Sequence, residues 1–446
     1  MRSSRLRISI VISAFLLIPM VVLSACGGGS TASPTSGSNG QDPTVLDPNK
    51  QYTVDFWEAF STGANKTVLA ALSQQYMQKH PNIKINLQAF DSYATLQTKL
   101  NAAIAGKQAP AIAQVYENGA VEYQHTGQIV SLQPYISGKN GLSESDLADF
   151  YPSLLDDGKI NGTQYMLPFN KSDEVLYYNA DLLQKLNIKV PTTLDEFVST
   201  LKQVTKPGTR WGLSFTPSID EWATFYKALG GKQFTSQDGQ SAAFDKGSDK
   251  AYAKQALDLL TPLVKSGAVH VTAGYSWQND FVAQKSVFAL ATIASYPFLA
   301  QGINNAFKFN EAAIPAGPAG SYTVLYGTNL SLFKGVSDDT RAAAWDFMKF
   351  LTSKDANIAF VKGTGYMPIR KSVFNSSELQ DYYNQVPARK VGPQQIDSAF
   401  VPSILPGWES CRDDITNEFT SALKGLNTSD AALTKMGQQC SDSLSS

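Results

Sequence analysis

Aromatic rings stand beside amides and carboxylates at a series of points where apolar runs stop. Phe56-Trp57-Glu58 closes the run that begins at Tyr52, and Tyr116-Glu117-Asn118-Gly119 follows the apolar stretch from Ala111 to Val115. Asn170-Lys171-Ser172, Ser295-Tyr296-Pro297 and Tyr326-Gly327-Thr328-Asn329 repeat the association, as do Gly365-Tyr366-Met367-Pro368 and Pro406-Gly407-Trp408. The chemistry suits a polyol, because ring faces pack on the C–H face of a sugar while amides and carboxylates exchange hydrogen bonds with its hydroxyls. Taken singly, each of these groups reads as core or turn. Together they favour a binding crevice, since in open α/β sheets ligands lie at the carboxyl ends of strands.

Sequence patterns of catalysis are absent. There is no GxSxG elbow, HExxH, CxxC, P-loop or strand-borne GxGxxG. His80, His125 and His270 are the only histidines, and none neighbours a nucleophile or an acid partner in the sequence. A two-carboxylate glycosidase needs no local motif, yet no paired-acid signature stands out. No EF-hand loop occurs, so neither a metal nor a cofactor is expected. With 37 basic against 38 acidic residues, nothing in the bulk charge points to nucleic acid.

The elements that must carry these groups follow from periodicity. A chain of 446 residues suggests about two domains, or three. Residues 52–57 alternate like a strand, 65–79 read as a helix, 83–87 as a strand, 93–105 as a helix and 109–116 as a strand. This β-α-β-α-β order argues a parallel sheet in an α/β layer architecture. A second unit offers a strand at 174–178, helices at 180–186 and from 191, and a helix at 249–266. Strands at 287–293, 312–314 and 322–333 follow, then helices at 338–351, 409–424 and 429–443. Thr192 or Thr193 can cap the helix that opens near Pro191.

The first 25 residues read as a secretory signal, with Arg2, Arg5 and Arg7 before the apolar stretch 8–23. Leu23-Ser24-Ala25-Cys26 resembles the lipobox of bacterial lipoproteins, which implies a lipid on Cys26 and attachment to the membrane from outside. Residues 26–50 are rich in Gly, Ser, Thr, Pro and Asn, the composition of a flexible tether. Cys411 and Cys440 remain, and an exported location permits either a disulfide or two separate buried thiols.

The lipobox and tether, "APAIAQVYENGA", "LPFNKSDEVLYYN" and "GTGYMPIRKS" resemble extracellular solute-binding proteins of ABC importers, family 1. Within it, the relatives of the glycerol-3-phosphate-binding protein are the most similar. The resemblance spans roughly residues 52 to 430. It implies two α/β lobes joined by a hinge, with solute enclosed in the interlobe cleft and delivered to permease and ATPase partners. On this basis the first lobe comprises 51–168 and 327–366, and the second 169–326 and 367–446. The implied solute contacts are Tyr93, Glu117, Ser172, Ser295, Gly327 and Tyr366. Asn170 joins them from the strand-end pattern, and Trp57, Trp222, Trp277 and Trp408 from the aromatic argument alone. Glycerol-phosphate-specific members place an arginine shortly before the C-terminal helices. Here residues 401–408 contain no cation, and Ile404 occupies the matching register. Lys171 and Arg370 read as solvated hinge charges, and a phosphate enclosed without a counter-charge carries a heavy desolvation cost. The expected protein is therefore a monomeric, non-enzymatic binder of a neutral sugar or oligosaccharide. The alternatives are a glycerol-3-phosphate or glycerophosphodiester binder and, behind them, a secreted glycosidase.

Overall fold

The computed structural model describes residues 42–445. The signal segment, Cys26 and residues 26–41 of the expected tether lie outside them. The remainder of that tether, 42–50, is not free chain. Thr44 is buried, the Asp42 carboxylate accepts from the backbone N–H groups of Thr44 and Lys139, and the Asn140 side chain donates to the Thr44 carbonyl. Composition suggests flexibility here, but short polar side chains also fold back on nearby backbone to build ordered turns.

Twelve strands occur among the described residues: β1 (Tyr52–Glu58), β2 (Ile83–Ala89), β3 (Ile112–Val115), β4 (Lys159–Ile160), β5 (Thr163–Gln164), β6 (Met166–Asn179), β7 (Trp211–Phe215), β8 (Val269–Val271), β9 (Ser286–Thr292), β10 (Phe309–Ala312), β11 (Thr323–Leu332) and β12 (Ala399–Phe400). Ten form one sheet with the path β2-β1-β3-β11-β6-β9-β7-β8, to which β10 adds beside β6 and β12 beside β11. At one end β1 runs parallel to β2 and β3, and at the other β7 runs parallel to β8 and β9. Between them β6 and β11 pair antiparallel, β11 also pairing with β3 toward the first end and β6 with β9 toward the other.

Two apolar cores flank these central strands. Val54, Phe56, Leu69, Tyr76, Trp345 and Phe347 belong to one. Leu176, Phe197, Leu213, Trp222, Phe288 and Phe419 belong to the other. Strand β6 is far longer than the expected 174–178, because its first half carries Asn170 to Glu174, whose polarity hides it from a hydrophobicity pattern. These residues are nonetheless buried, so every polar group there needs a partner or a task.

The helix from 191 begins one turn later, at Leu194–Val204, with Thr193 and Glu196 forming a reciprocal capping box. The expected helix at 249–266 is broken into Asp249–Asp258 and Thr261–Lys265, with Pro262 at the start of the second. The C-terminal helices Trp408–Leu423 and Ser429–Ser445 form a hairpin joined by a Cys411–Cys440 disulfide. Closing this 29-residue separation constrains the unfolded chain. A Cys411→Ser/Cys440→Ser variant is expected to lose about 3–4 kcal/mol of unfolding free energy in urea titrations.

Candidate ligand-binding cleft

The strand Ile112–Val115 does not continue into Tyr116. A helix, Glu117–His125, starts at once and puts Glu117 in its first turn, where the helix dipole favours a carboxylate. Asn118 Nδ2 donates to Glu409 Oε2 at 3.3 Å, and the Gly407 N–H donates to Glu122 Oε1 at 3.3 Å. The Glu117 helix therefore faces the Trp408 helix across a crevice floored by β6 and β11. A small cavity there is lined by Tyr93, Gln114, Tyr116, Thr328 and Glu409.

The floor is built around Asn170, which is fully buried. Its Oδ1 accepts from Gln114 Nε2 at 2.9 Å and from Thr328 Oγ1 at 2.5 Å, and its Nδ2 donates to the Tyr93 hydroxyl at 2.9 Å. The Tyr93 hydroxyl in turn lies 3.3 Å from that of Tyr366, and the Tyr93 ring stands edge-on to Tyr116. Asn170 thus spends its amide on fixing a cluster of rings, which makes it a positioning residue. Gly327 has a similar explanation. Its φ is +93°, and a Cβ would lie 2.0 Å from the Asn170 carbonyl oxygen, so the close approach of β6 and β11 demands glycine whether or not solute touches it.

Glu117, Ser172 and Ser295 are buried, and none of their side chains hydrogen-bonds another described residue. They are polar groups held in reserve. Burial pushes the Glu117 carboxyl up to about 7; the nearby Asp157 carboxylate adds to this, while Lys171 and Arg412 oppose it.

Three of the four expected tryptophans belong to the cores. Trp222 is fully buried, stacked on Tyr226 at 5.3 Å, and its Nε1 donates to the Ala253 carbonyl. Trp408 is also fully buried, against Phe234, and Trp277 packs among Phe281 and Leu299. All three lie on helices whose apolar faces turn inward, and ring type alone does not distinguish a core face from a cleft face. Trp57 remains half-buried against Phe90. A Trp222→Ala variant is expected to lose about 3–5 kcal/mol of stability while solute affinity changes less than threefold.

The charges also depart from expectation. Lys171 is not solvated but buried in an ion pair with Asp157, and it also donates to the Gly327 carbonyl. Asp157 is further held by Asn329 Nδ2. Arg370 is buried too, over the Phe150 ring and bonded to Asp149 and the Thr352 carbonyl. The segment 401–408 lacks a cation, but one turn farther on Arg412 supplies one. Its Nη1 and Nη2 donate to the two carboxylate oxygens of Asp220 at 3.0 and 2.9 Å. Its charge reaches Glu117 and Glu409. The signal was present as a lone arginine in the first turns of a helix, just past the segment 401–408.

His270 Nδ1 lies 2.7 Å from Asp280 Oδ2, a pairing the sequence did not suggest. Ser214 Oγ donates to the same carboxylate oxygen. The carboxylate is in the middle and the serine is fully buried, so this order does not activate a nucleophile. Tyr275 carried no signal in the sequence either. It is 79% exposed, and its phenol lies near enough to Tyr116 and Tyr366 to act on their ionisation.

Two α/β halves around a polar, ring-lined crevice, crossed by shared strands, define a two-lobed solute-binding protein. The profile of the bacterial extracellular solute-binding protein family matches residues 71–388, and the chain belongs to that family, whose members work outside the cytoplasm. The sn-glycerol-3-phosphate-binding periplasmic protein UgpB of Rhizobium meliloti is 24% identical over 413 residues, covering 86% of this chain and 91% of its own. UgpB of Brucella melitensis is 23% identical over 399 residues, covering 84% and 90%. Among solved structures, the GacH receptor of Streptomyces glaucescens, studied unliganded and with acarbose, superposes with a TM-score of 0.77 at 20% identity, covering 88% of this chain and 98% of its own. UgpB of Mycobacterium tuberculosis in complex with glycerophosphocholine gives the same TM-score, identity and coverage.

Proposed function

We propose that this chain is the solute-binding component of an ABC importer and that it encloses a hydroxyl-rich sugar or oligosaccharide between its lobes. The supporting observation is the set of unspent polar groups, Glu117, Ser172 and Ser295, beside the rings of Tyr93, Tyr116 and Tyr366. A carboxylate that accepts from two neighbouring hydroxyls recognises a polyol without doing chemistry on it. The protein therefore acts as a carrier, not an enzyme, and works as a monomer that docks on permease subunits. Cys26 carries the lipid that keeps it at the membrane. The lobe boundaries near 168, 326 and 366 are supported by the central β6–β11 pair, in which β11 also pairs with β3 and β6 with β9.

A glycerophosphodiester or glycerol 3-phosphate is the second reading, favoured by Arg412 and by what the UgpB relatives bind. Against it, these two cations at the crevice are already paired: the buried Lys171 with Asp157, and the partly exposed Arg412 with Asp220. A phosphate would have to displace Asp220 and sit near Glu117. Isothermal titration with neutral mono- and oligosaccharides, glycerol 3-phosphate and glycerophosphocholine separates the readings. Saturable binding of a neutral sugar, unchanged after recovery, supports the first. Tighter binding of either phosphate compound supports the second.

A further inference from the structure

Opposite Glu117, the second half of the protein gathers more negative charge than its partners neutralise. Glu174 on β6 shares a face with Ser172, two residues away, and with Tyr326, which pairs with Ser172 across β11. The first turn of the helix Ile219–Leu229 packs there and brings Asp220 and Glu221. The Glu174 and Glu221 carboxyls lie within hydrogen-bonding reach of each other. Asp220 is satisfied by Arg412, whereas no cation pairs with Glu174 or Glu221. Glu221 also accepts from the Ser218 N–H and hydroxyl, but Glu174 Oε1 has no partner at all, on a residue only 1% exposed.

Two buried carboxyls this close cannot both ionise unless a positive charge joins them. Burial pushes both above the ordinary carboxylate range; Glu221, Asp220 and Asp173 add to the effect on Glu174, while for Glu221 the Asp220 carboxylate adds to it and the Ser218 hydrogen bonds oppose it. Asp173 faces away, toward Gln395, and Arg412, the guanidinium on the adjoining Trp408 helix, is committed to Asp220. Glu409 and Glu117 are further acids within Arg412's reach and contribute no positive charge. Among the described residues no three His, Cys, Asp or Glu side chains converge as metal ligands, so a metal ion does not fill the role. The half-buried Tyr326 ring completes the wall, and an aromatic face beside carboxylates attracts an organic cation.

We propose that Glu174, Glu221 and Tyr326 form a subsite for a positively charged amine carried by the solute. The proposal rests on reading the crevice as the solute site, and it narrows the solute class to hydroxyl-rich molecules bearing an ammonium group. Binding the cation ionises the carboxyl pair and releases a proton to solvent.

The test is isothermal titration of the full chain at pH 7.5 with choline chloride, glucosamine and glucose, repeated in buffers of different ionisation enthalpy. At least one of the two cations is expected to bind saturably, at least tenfold tighter than glucose, with net proton release. Glu174→Gln and Glu221→Gln are expected to weaken that cation at least tenfold, and circular dichroism melting reports whether each variant is folded. If a variant does not fold, the wild-type proton release and the cation-over-glucose ratio still decide. Absence of saturable binding by both cations overturns the proposal, as does binding without proton release or a preference for glucose. Sugar binding with no cation preference sinks this inference and leaves the sugar reading standing. Cation binding with no sugar of any kind binding does the reverse.

Discussion

Replacing Glu117 with alanine is expected to weaken solute binding at least a hundredfold and to leave the protein folded. The carboxylate is buried beside Tyr116 and makes no hydrogen bond to another described residue, so its removal breaks nothing internal. In the complex it can accept from two hydroxyls, and charged hydrogen bonds contribute roughly 1.5–3 kcal/mol each. Losing both corresponds to about two to four orders of magnitude in dissociation constant. Titration calorimetry on wild type and variant reads this directly.

The same carboxyl makes a pH signature. Its folded value of about 7 lies above that of an unfolded glutamate, so between the two the folded protein binds more protons than the unfolded chain. Stability from this group therefore falls as pH rises through that window, by at most about 3 kcal/mol. Urea titrations at pH 5 and pH 8 are expected to show the apo protein losing stability, and Glu117→Gln losing less. Affinity for a hydroxyl donor runs the opposite way and strengthens as the carboxyl ionises.

Gly327→Ala is expected to destabilise the protein by about 3 kcal/mol or more, a large effect for the addition of one methyl group. A φ of +93° is already costly for a residue with a Cβ, and here the added carbon would overlap the Asn170 carbonyl at 2.0 Å. Relief requires β6 and β11 to separate, which would disturb the Lys171 bond to the Gly327 carbonyl and the Asn170 hub beneath Tyr93. Chemical denaturation gives the stability loss. A fall below about 1 kcal/mol would show that the strands part easily at this point, contrary to a rigid floor beneath the crevice.

Much of the fold could be read from the sequence because its outer elements obey simple periods. Strand β1 alternates buried and exposed residues, and the helix Tyr93–Ala105 begins and ends where its cap residues Ser92 and Gly106 indicate. The central strand β6 could not be read in full, because its Asn-Lys-Ser-Asp-Glu stretch is buried although polar, and a hydrophobicity pattern does not register it. The short helix Glu117–His125 was also not foreseen, since no apolar periodicity marks it beyond the strand before it.

In the crevice, the family resemblance pointed to Tyr93 and Tyr366, which the structure brings together, whereas the aromatic argument alone pointed to Trp222, Trp277 and Trp408, whose helices face their cores. Arg412 and the Glu174–Glu221 pair come together only through tertiary contacts between β6, the Ile219 helix and the Trp408 helix. No spacing within one segment could announce them.

The most direct test of a hydroxyl-rich solute held between the lobes is native mass spectrometry of the purified protein, with the released small molecule identified. The expected result is a sugar, amino sugar or related polyol without phosphate, at one molecule per chain and lost in Glu117→Ala. Recovery of glycerol 3-phosphate or a glycerophosphodiester at the same stoichiometry would contradict it.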